Sequence, residues 1–316
     1  MNNIALASIA FAIAAVCAAL MGYAIQRGAT CMVAAIDELV SQRRATRLVA
    51  LVEAGIWVAG GLLVAHLLGS LRMSPVGHSV GVATVAGGAL LGAGALINRA
   101  CVFGAIARLG SGEWAYVLTP VGFFLGCLGA SQWMTATPPI TAPSPLFAAA
   151  SVLVVPFALF AGWRGVEAFG AVRRREFAAH IWTPHRATMV IGLAFVIMLL
   201  TVGSWAYTEA LASLARGMAS NTEAKLLLFA ALLVGALLGG WTAGRLRSVA
   251  PTVAEVARCL TGGALMGMGS VLIPGSNDGL ILLGLPLLNL YALVALASMT
   301  LAIVGGMVIE RQLANR

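Results

Sequence analysis

The sequence has little charge: only 9% of its 316 residues are Asp, Glu, Lys or Arg, against about 25% in soluble domains. A soluble chain that is 60% hydrophobic would expose large apolar patches and aggregate, which excludes water as its main solvent. Cys-x-x-Cys pairs are missing. Cys17, Cys31, Cys101, Cys127 and Cys259 are odd in number and scattered along apolar stretches, which argues against a disulfide framework. His66, His78, His180 and His185 lack metal-ligand spacing. There is no hydrolytic triad, nucleotide loop or cofactor motif, so an enzyme, a bound metal and a cofactor are not expected. The net charge of +8 comes without a basic stripe carrying interleaved aromatics, which argues against a nucleic-acid partner. Met1-Asn2-Asn3 carries no Lys or Arg, so the first apolar stretch lacks the basic region of a signal peptide. Ala14-Ala15-Val16 is also a poor lipoprotein cleavage site ahead of Cys17. That stretch is expected to stay as a helix.

What is present points to lipid. Apolar runs occur at about 4–24, 46–69, 80–97, 113–133, 145–162, 187–208, 224–244, 252–273 and 286–309. Their lengths suit a hydrocarbon core of about 30 Å, and lipid leaves backbone groups no partner outside a helix. The expectation is an all-α, multi-pass membrane protein of about nine transmembrane helices. Basic residues fall mostly between alternate runs: Arg43, Arg44, Arg47, Arg108, Arg164, Arg173, Arg174, Arg175, Arg186, Arg245, Arg247, Arg311 and Arg316 on one side, Arg72 and Arg216 on the other, with Lys225 at a border. Cytoplasmic loops collect Lys and Arg, which predicts an N-terminus outside and a C-terminus in the cytoplasm of a bacterial inner membrane.

Residues 87–104, GGALLGAGALINRACVFG, align without gaps with 262–279, GGALMGMGSVLIPGSNDG. One copy lies in a run crossing inward and the other in a run crossing outward. Inverted halves of this kind are a recurring transporter design. The expected layout is a first half over 1–144, a connecting helix and basic loop over 145–186, and an inverted second half over 187–316.

Three polar breaks interrupt apolar runs: Gln26-Arg27-Gly28-Ala29-Thr30-Cys31, Asn98-Arg99-Ala100-Cys101, and Pro274-Gly275-Ser276-Asn277-Asp278-Gly279. Each precedes a short helix-compatible stretch, about 31–42, 101–109 and 279–285, and reads as a loop entering a re-entrant half-helix. Thr30 and Asp278 are the expected N-caps of the first and third. A helix start presents unpaired N–H groups and partial positive charge, which suits an anion. Cys31 and Cys101 stand there with soft thiols, and Arg27 and Arg99 add positive charge or snorkel to the surface. The repeat sets Ser276 against Cys101. Cys17, Cys127 and Cys259 read as packing residues.

These breaks resemble those of the YeeE/YedE family of bacterial membrane proteins. The similarity rests on residues 22–32 (GYAIQRGATCM), residues 98–104 (NRACVFG) and the glycine-rich runs ahead of the second and third breaks. The resemblance implies an hourglass-shaped inner-membrane transporter for thiosulfate or a related small sulfur-containing anion. It further implies cysteines at the waist that pass the anion by S–H hydrogen bonds, Cys31 and Cys101 matching two of them, and a small cytosolic sulfur-carrier protein as partner. At the third waist position the family pattern resembles Gly-Cys-Asn, whereas this chain has Gly275-Ser276-Asn277 followed by Asp278. The expected substrate path is therefore Cys31, Cys101, Ser276 and Asn277, with Gln26, Arg27, Asn98, Arg99 and Asp278 beside them. Two other readings stay open: a transporter of another small solute selected by Ser276-Asn277-Asp278, and a membrane sulfurtransferase subunit carrying a cysteine persulfide.

Overall fold

In the computed structural model, residues 2–71, 76–134, 137–140, 142–176, 181–203, 205–217 and 222–314 are described, with side chains from residue 8 onward. Arg72, His180 and Arg316 lie outside the described residues. The long apolar runs form helices α1 (Asn2–Gly28), α3 (Thr46–Leu67), α4 (Val82–Asn98), α8 (Ala150–Arg173), α9 (Pro184–Val202), α11 (Thr222–Thr242), α12 (Val253–Leu272) and α14 (Leu290–Ala314). Between them lie the shorter α2 (Met32–Gln42), α5 (Val102–Gly110), α6 (Leu118–Ala130), α7 (Pro145–Ala148), α10 (Tyr207–Ala215) and α13 (Asn277–Gly284). A two-residue antiparallel pair, β1 (Gly77–His78) with β2 (Pro139–Ile140), is the one sheet among the described residues.

This is an all-α membrane protein. Seven helical stretches are long and apolar enough to cross a membrane, and eight if α12 and α13, bent by 54° at their break, count as one. Two of the nine expected runs differ. The run 113–133 becomes a tight turn over Trp114–Val117 and then the 13-residue α6. At 1.5 Å per residue α6 covers about 20 Å, short of a full hydrocarbon core. It is instead packed along α12, where Cβ atoms on Gly122 and Gly126 would meet the Leu260 and Ala264 carbonyls. The run 187–208 stops early. Its helix ends at Val202 because Gly203 takes φ +93, a conformation open to glycine and costly for other residues, and α10 starts afresh at Tyr207.

Glycine lets α4 and α12 touch backbone to backbone. A Cβ on Gly94 would lie 2.6 Å from the Gly262 carbonyl oxygen, and one on Gly262 would lie 2.7 Å from that of Gly94. Gly87 and Gly269 oppose each other in the same way, at 2.9 and 2.6 Å. The two glycine runs seen in the sequence thus lie antiparallel across the α4–α12 contact. Small residues at helix interfaces in lipid permit this approach and the dispersion contact that holds it.

Loops gather at two faces. One carries the ends of α2 and α14, joined by Arg311 to Asp37 at 3.2 Å, together with the 111–114 and 247–249 segments, joined by the Arg247 N–H to the Ser111 carbonyl at 3.0 Å. The other carries the β1–β2 pair and the Ser144 hydroxyl, which donates to the Leu287 carbonyl at 2.6 Å. Outermost stands α8, no residue of whose most apolar stretch is buried. It is clamped to α3 by a forked pair, Arg164 Nε and Nη2 donating to Glu53 Oε1 and Oε2 at 2.7 and 2.5 Å. His185 Nδ1 and Trp57 Nε1 complete the shell around the buried Glu53 carboxylate, at 2.5 and 3.4 Å. Planar two-point pairing of this kind is the strong form of a salt bridge.

Candidate functional site

Two of the breaks end in the same way. The Ala29 N–H bonds the Gln26 carbonyl and the Thr30 N–H reaches back to Ile25 at 3.1 Å; the Arg99 N–H bonds Leu96 and the Ala100 N–H reaches Ala95 at 3.0 Å. This is the Schellman closure of a helix C-terminus. It places Ala29 (φ +47) and Arg99 (φ +56) in the left-handed conformation, where residues with a side chain are held at a cost of about 1–2 kcal/mol. Two residues later the chain is extended at Cys31 (φ −158, ψ 129) and Cys101 (φ −74, ψ −178), and α2 and α5 begin. The first N-cap is therefore Cys31 and not Thr30, because α2 begins at Met32 and its first helical bond runs from the Ala35 N–H to the Cys31 carbonyl at 2.9 Å. The third is Ser276 and not Asp278, which falls inside the first turn of α13.

Hydrogen bonds link the half-helix starts in sequence. The Met32 N–H, first in α2, donates to Cys101 Sγ at 3.2 Å. The Tyr207 hydroxyl, first in α10, donates to the carbonyl of Val102, first in α5, at 2.8 Å. Thr208 Oγ1 of α10 donates to Asp278 Oδ1 of α13. Four short helices thus meet at their N-termini in the middle of the fold. The Cys31 and Cys101 thiols are within hydrogen-bonding reach of each other, and Gly104 leaves the room for Cys31. A Cβ on Gly104 would come within 2.5 Å of Cys31 Sγ. Behind Cys31, toward Arg47 and Thr188, lies a cavity of about 10 Å³, room for one water.

Of the expected site residues, Cys31, Cys101, Ser276, Asn277 and Asp278 come together at this meeting point. Ser276 Oγ and both amide atoms of Asn277 are buried without a hydrogen-bond partner, and native interiors rarely leave such groups unpaired. The remaining four point elsewhere. Asn98 is wholly engaged in pinning the α4–α5 break: Nδ2 donates to the Ala100 carbonyl at 2.8 Å and Oδ1 accepts from Thr119 Oγ1 at 3.0 Å. Arg99 is exposed. Arg27 is buried but directed at α11, donating to Tyr23 Oη at 2.7 Å and Thr242 Oγ1 at 2.9 Å. Gln26 Nε2 approaches Ser111 Oγ beyond the end of α5, at 3.4 Å.

Sequence reasoning missed α10 and with it Tyr207 and Thr208. A signal was present: Met32 and Tyr207 stand 175 positions apart, as do Val102 and Asn277, the offset of the glycine-rich repeat. The fourth break lacks both cysteine and arginine, so it reads as the tail of an apolar run.

The arrangement can hold a small anion by hydrogen-bond donors that carry no full charge: two thiols, a hydroxyl and an amide, at converging helix N-termini. Donors of this strength suit a path, since a permeating ion must bind well enough to enter and weakly enough to leave. Among the described residues no group of His, Cys, Asp and Glu has the geometry of a metal site. Residues 27–307 match the family model described as sulphur transport. No match is found among curated proteins.

Proposed function

Because the chain belongs to the sulphur transport family, we propose that it carries thiosulfate, or a closely related small sulfur-containing anion, inward across a bacterial inner membrane through the meeting point of α2, α5, α10 and α13. The observation that carries the reading is the set of buried, unpartnered donors at Ser276 and Asn277 beside the Cys31–Cys101 thiol pair. Cys31 and Cys101 contact the terminal sulfur, because a thiol is a soft and polarisable donor. Ser276 Oγ and Asn277 Nδ2 donate to the oxygens.

In this reading residues 1–144 and 187–316 are inverted halves joined by 145–186. The order long, short, long, long, short recurs in α1–α5 and α9–α13, and each half contributes two half-helices to the waist. Loop charge supports an N-terminus outside and a C-terminus in the cytoplasm, which would have α2 and α5 run inward and α10 and α13 outward. A small sulfur-carrier protein would accept the anion at the basic cytoplasmic face.

Uptake of labelled thiosulfate into proteoliposomes tests the reading. Wild-type protein is expected to concentrate the label, and a Cys31→Ala/Cys101→Ala double variant to lose most of that uptake. Full uptake by the double variant would remove the thiols from the path. A second solute class has one observation in its favour, the Asp278 carboxyl beside the unpartnered donors. Competition of label uptake by sulfite, sulfate and neutral thiols separates the two readings, since a thiosulfate path yields only to sulfur oxyanions.

A further inference from the structure

Asp278 is a fully buried carboxyl at the junction of the four half-helices, and its setting is unusual for an anion path. It is 2% exposed. Its described partners are the Thr208 hydroxyl and the Gly279 N–H, the latter at 2.9 Å from Oδ1. No Lys, Arg or His among the described residues forms an ion pair with it. A charged carboxylate at membrane depth with no cation beside it is costly. A second negative charge arriving at Ser276 and Asn277, the two preceding residues, would raise that cost further.

The groups packed around Asp278 offer a proton and no compensating cation. On α10, Tyr207 lies within electrostatic range of both Asp278 and Cys101, and Glu209 within range of Asp278. On α5 the nearby titratable group is the Cys101 thiol, with Cys31 of α2 behind it. On α14 it is Tyr291, whose hydroxyl lies near Gly284. α3 presents Gly55 to α13, and its Glu53 is turned away to Arg164 and His185. Glu209 alone reaches open space. It is half-exposed and paired with Arg216 Nη2 at 3.1 Å. Arg216 lines a cavity of about 450 Å³ with Gln132, Ser131 and Met134, at the face opposite the basic loops.

We propose that Asp278 is the proton-carrying residue of this transporter, loaded from the outer cavity by way of Glu209, and that it couples entry of the anion to inward movement of at least one proton. The inference rests on the transport reading above. With the anion absent, the Glu209 carboxylate takes a proton from hydronium in the outer cavity, leaving water, and passes it on: the O–H bond on Glu209 breaks as one forms on Asp278, and the Glu209 carboxylate is restored. The neutral carboxyl then adds one donor to those of Ser276 and Asn277 and no longer repels the anion. After the anion has passed Cys101 and Cys31, the O–H bond breaks and the proton leaves to the inner water. The carboxylate is restored, and each cycle has carried one anion and one proton from Asp278 inward.

The test uses the full chain in proteoliposomes with a pH-sensitive dye inside and labelled thiosulfate outside. Thiosulfate is expected to acidify the interior, and an inside-alkaline gradient to speed label uptake several-fold. Asp278→Asn keeps the size and a donor but takes no proton. It is expected to abolish the acidification and to flatten the pH dependence of whatever uptake remains. Thr208→Val, which removes the partner hydroxyl, is expected to shift that pH dependence without abolishing it. Label entering the wild type with no acidification and no response to the gradient overturns the coupling and leaves the transport reading standing. So does acidification at an unchanged proton-to-anion ratio in Asp278→Asn. No entry of thiosulfate, sulfite or sulfate into wild-type vesicles overturns the transport reading and the coupling together. If Asp278→Asn does not fold, the wild-type dye measurement decides alone.

Discussion

The backbone N–H of Met32 donates to the sulfur of Cys101 at 3.2 Å, so the first residue of one half-helix is held by the N-cap of another. A helix start has unpaired N–H groups, and here one of them fixes a thiol in place. The two breaks are thereby mechanically linked, 69 residues apart in the chain. A change at either is expected to be felt at both.

Gly104 tests that linkage. Gly104→Ala would set a methyl 2.5 Å from Cys31 Sγ, inside any real contact distance. The sulfur has to move, and uptake of labelled thiosulfate is expected to fall at least tenfold. The helix itself is expected to persist, because alanine favours helix by about 1 kcal/mol over glycine. Unchanged uptake would show that the Cys31 sulfur position does not matter.

Arg99 separates charge from backbone geometry. Its side chain is exposed and its φ is +56, so its visible role is to close α4. Arg99→Gly removes the left-handed strain and is expected to preserve uptake while raising the thermal midpoint, by a stabilisation of about 1 kcal/mol. A loss of uptake with stability intact would instead assign the guanidinium to the anion's path.

The clamp on α8 predicts an asymmetric pair of variants. Arg164→Ala leaves the buried Glu53 carboxylate with His185 and Trp57 alone. Removing one partner of a buried ion pair costs about 3–5 kcal/mol. The thermal midpoint in detergent is expected to drop accordingly. Arg164→Met combined with Glu53→Leu removes both charges and is expected to recover most of that loss. Equal destabilisation by the single and the double variant would count against the clamp.

Tyr207 offers a check on the fourth half-helix. Tyr207→Phe keeps the ring, which stacks on Phe229 at 5.3 Å between centroids, and deletes the hydrogen bond to the Val102 carbonyl. The expected cost is about 1 kcal/mol in stability. Uptake should also fall, because α10 loses its tie to α5. A variant as stable and as active as wild type would detach α10 from the waist.

The lipid class, the spans and three of the four breaks were legible in the sequence because each is a local property. Apolar length sets what can cross a bilayer, and a polar cluster with glycine interrupts a helix wherever it stands. The fourth break was hidden because Gly203-Ser204-Trp205-Ala206 is nearly as apolar as its flanks, and only Gly203 betrays it. The nine expected runs became seven or eight spanning stretches because α6 trades length for close packing on α12.

What only the tertiary structure decided is where side chains go. Gln26, Arg27, Asn98 and Arg99 belong to the same sequence clusters as Cys31 and Cys101, yet none of the four turns toward the thiols. Helix closure at Ala29 and Arg99 interrupts the helix between arginine and cysteine, and partners on α6, α11 and the loop after α5 claim the polar groups. The sequence alone determined that thiols, a hydroxyl and an acid begin short helices. Their convergence, and the pairing of Asp278 with Thr208 from a helix that composition did not reveal, depend on contacts between segments far apart in the chain. Such contacts are set by packing and not by local pattern.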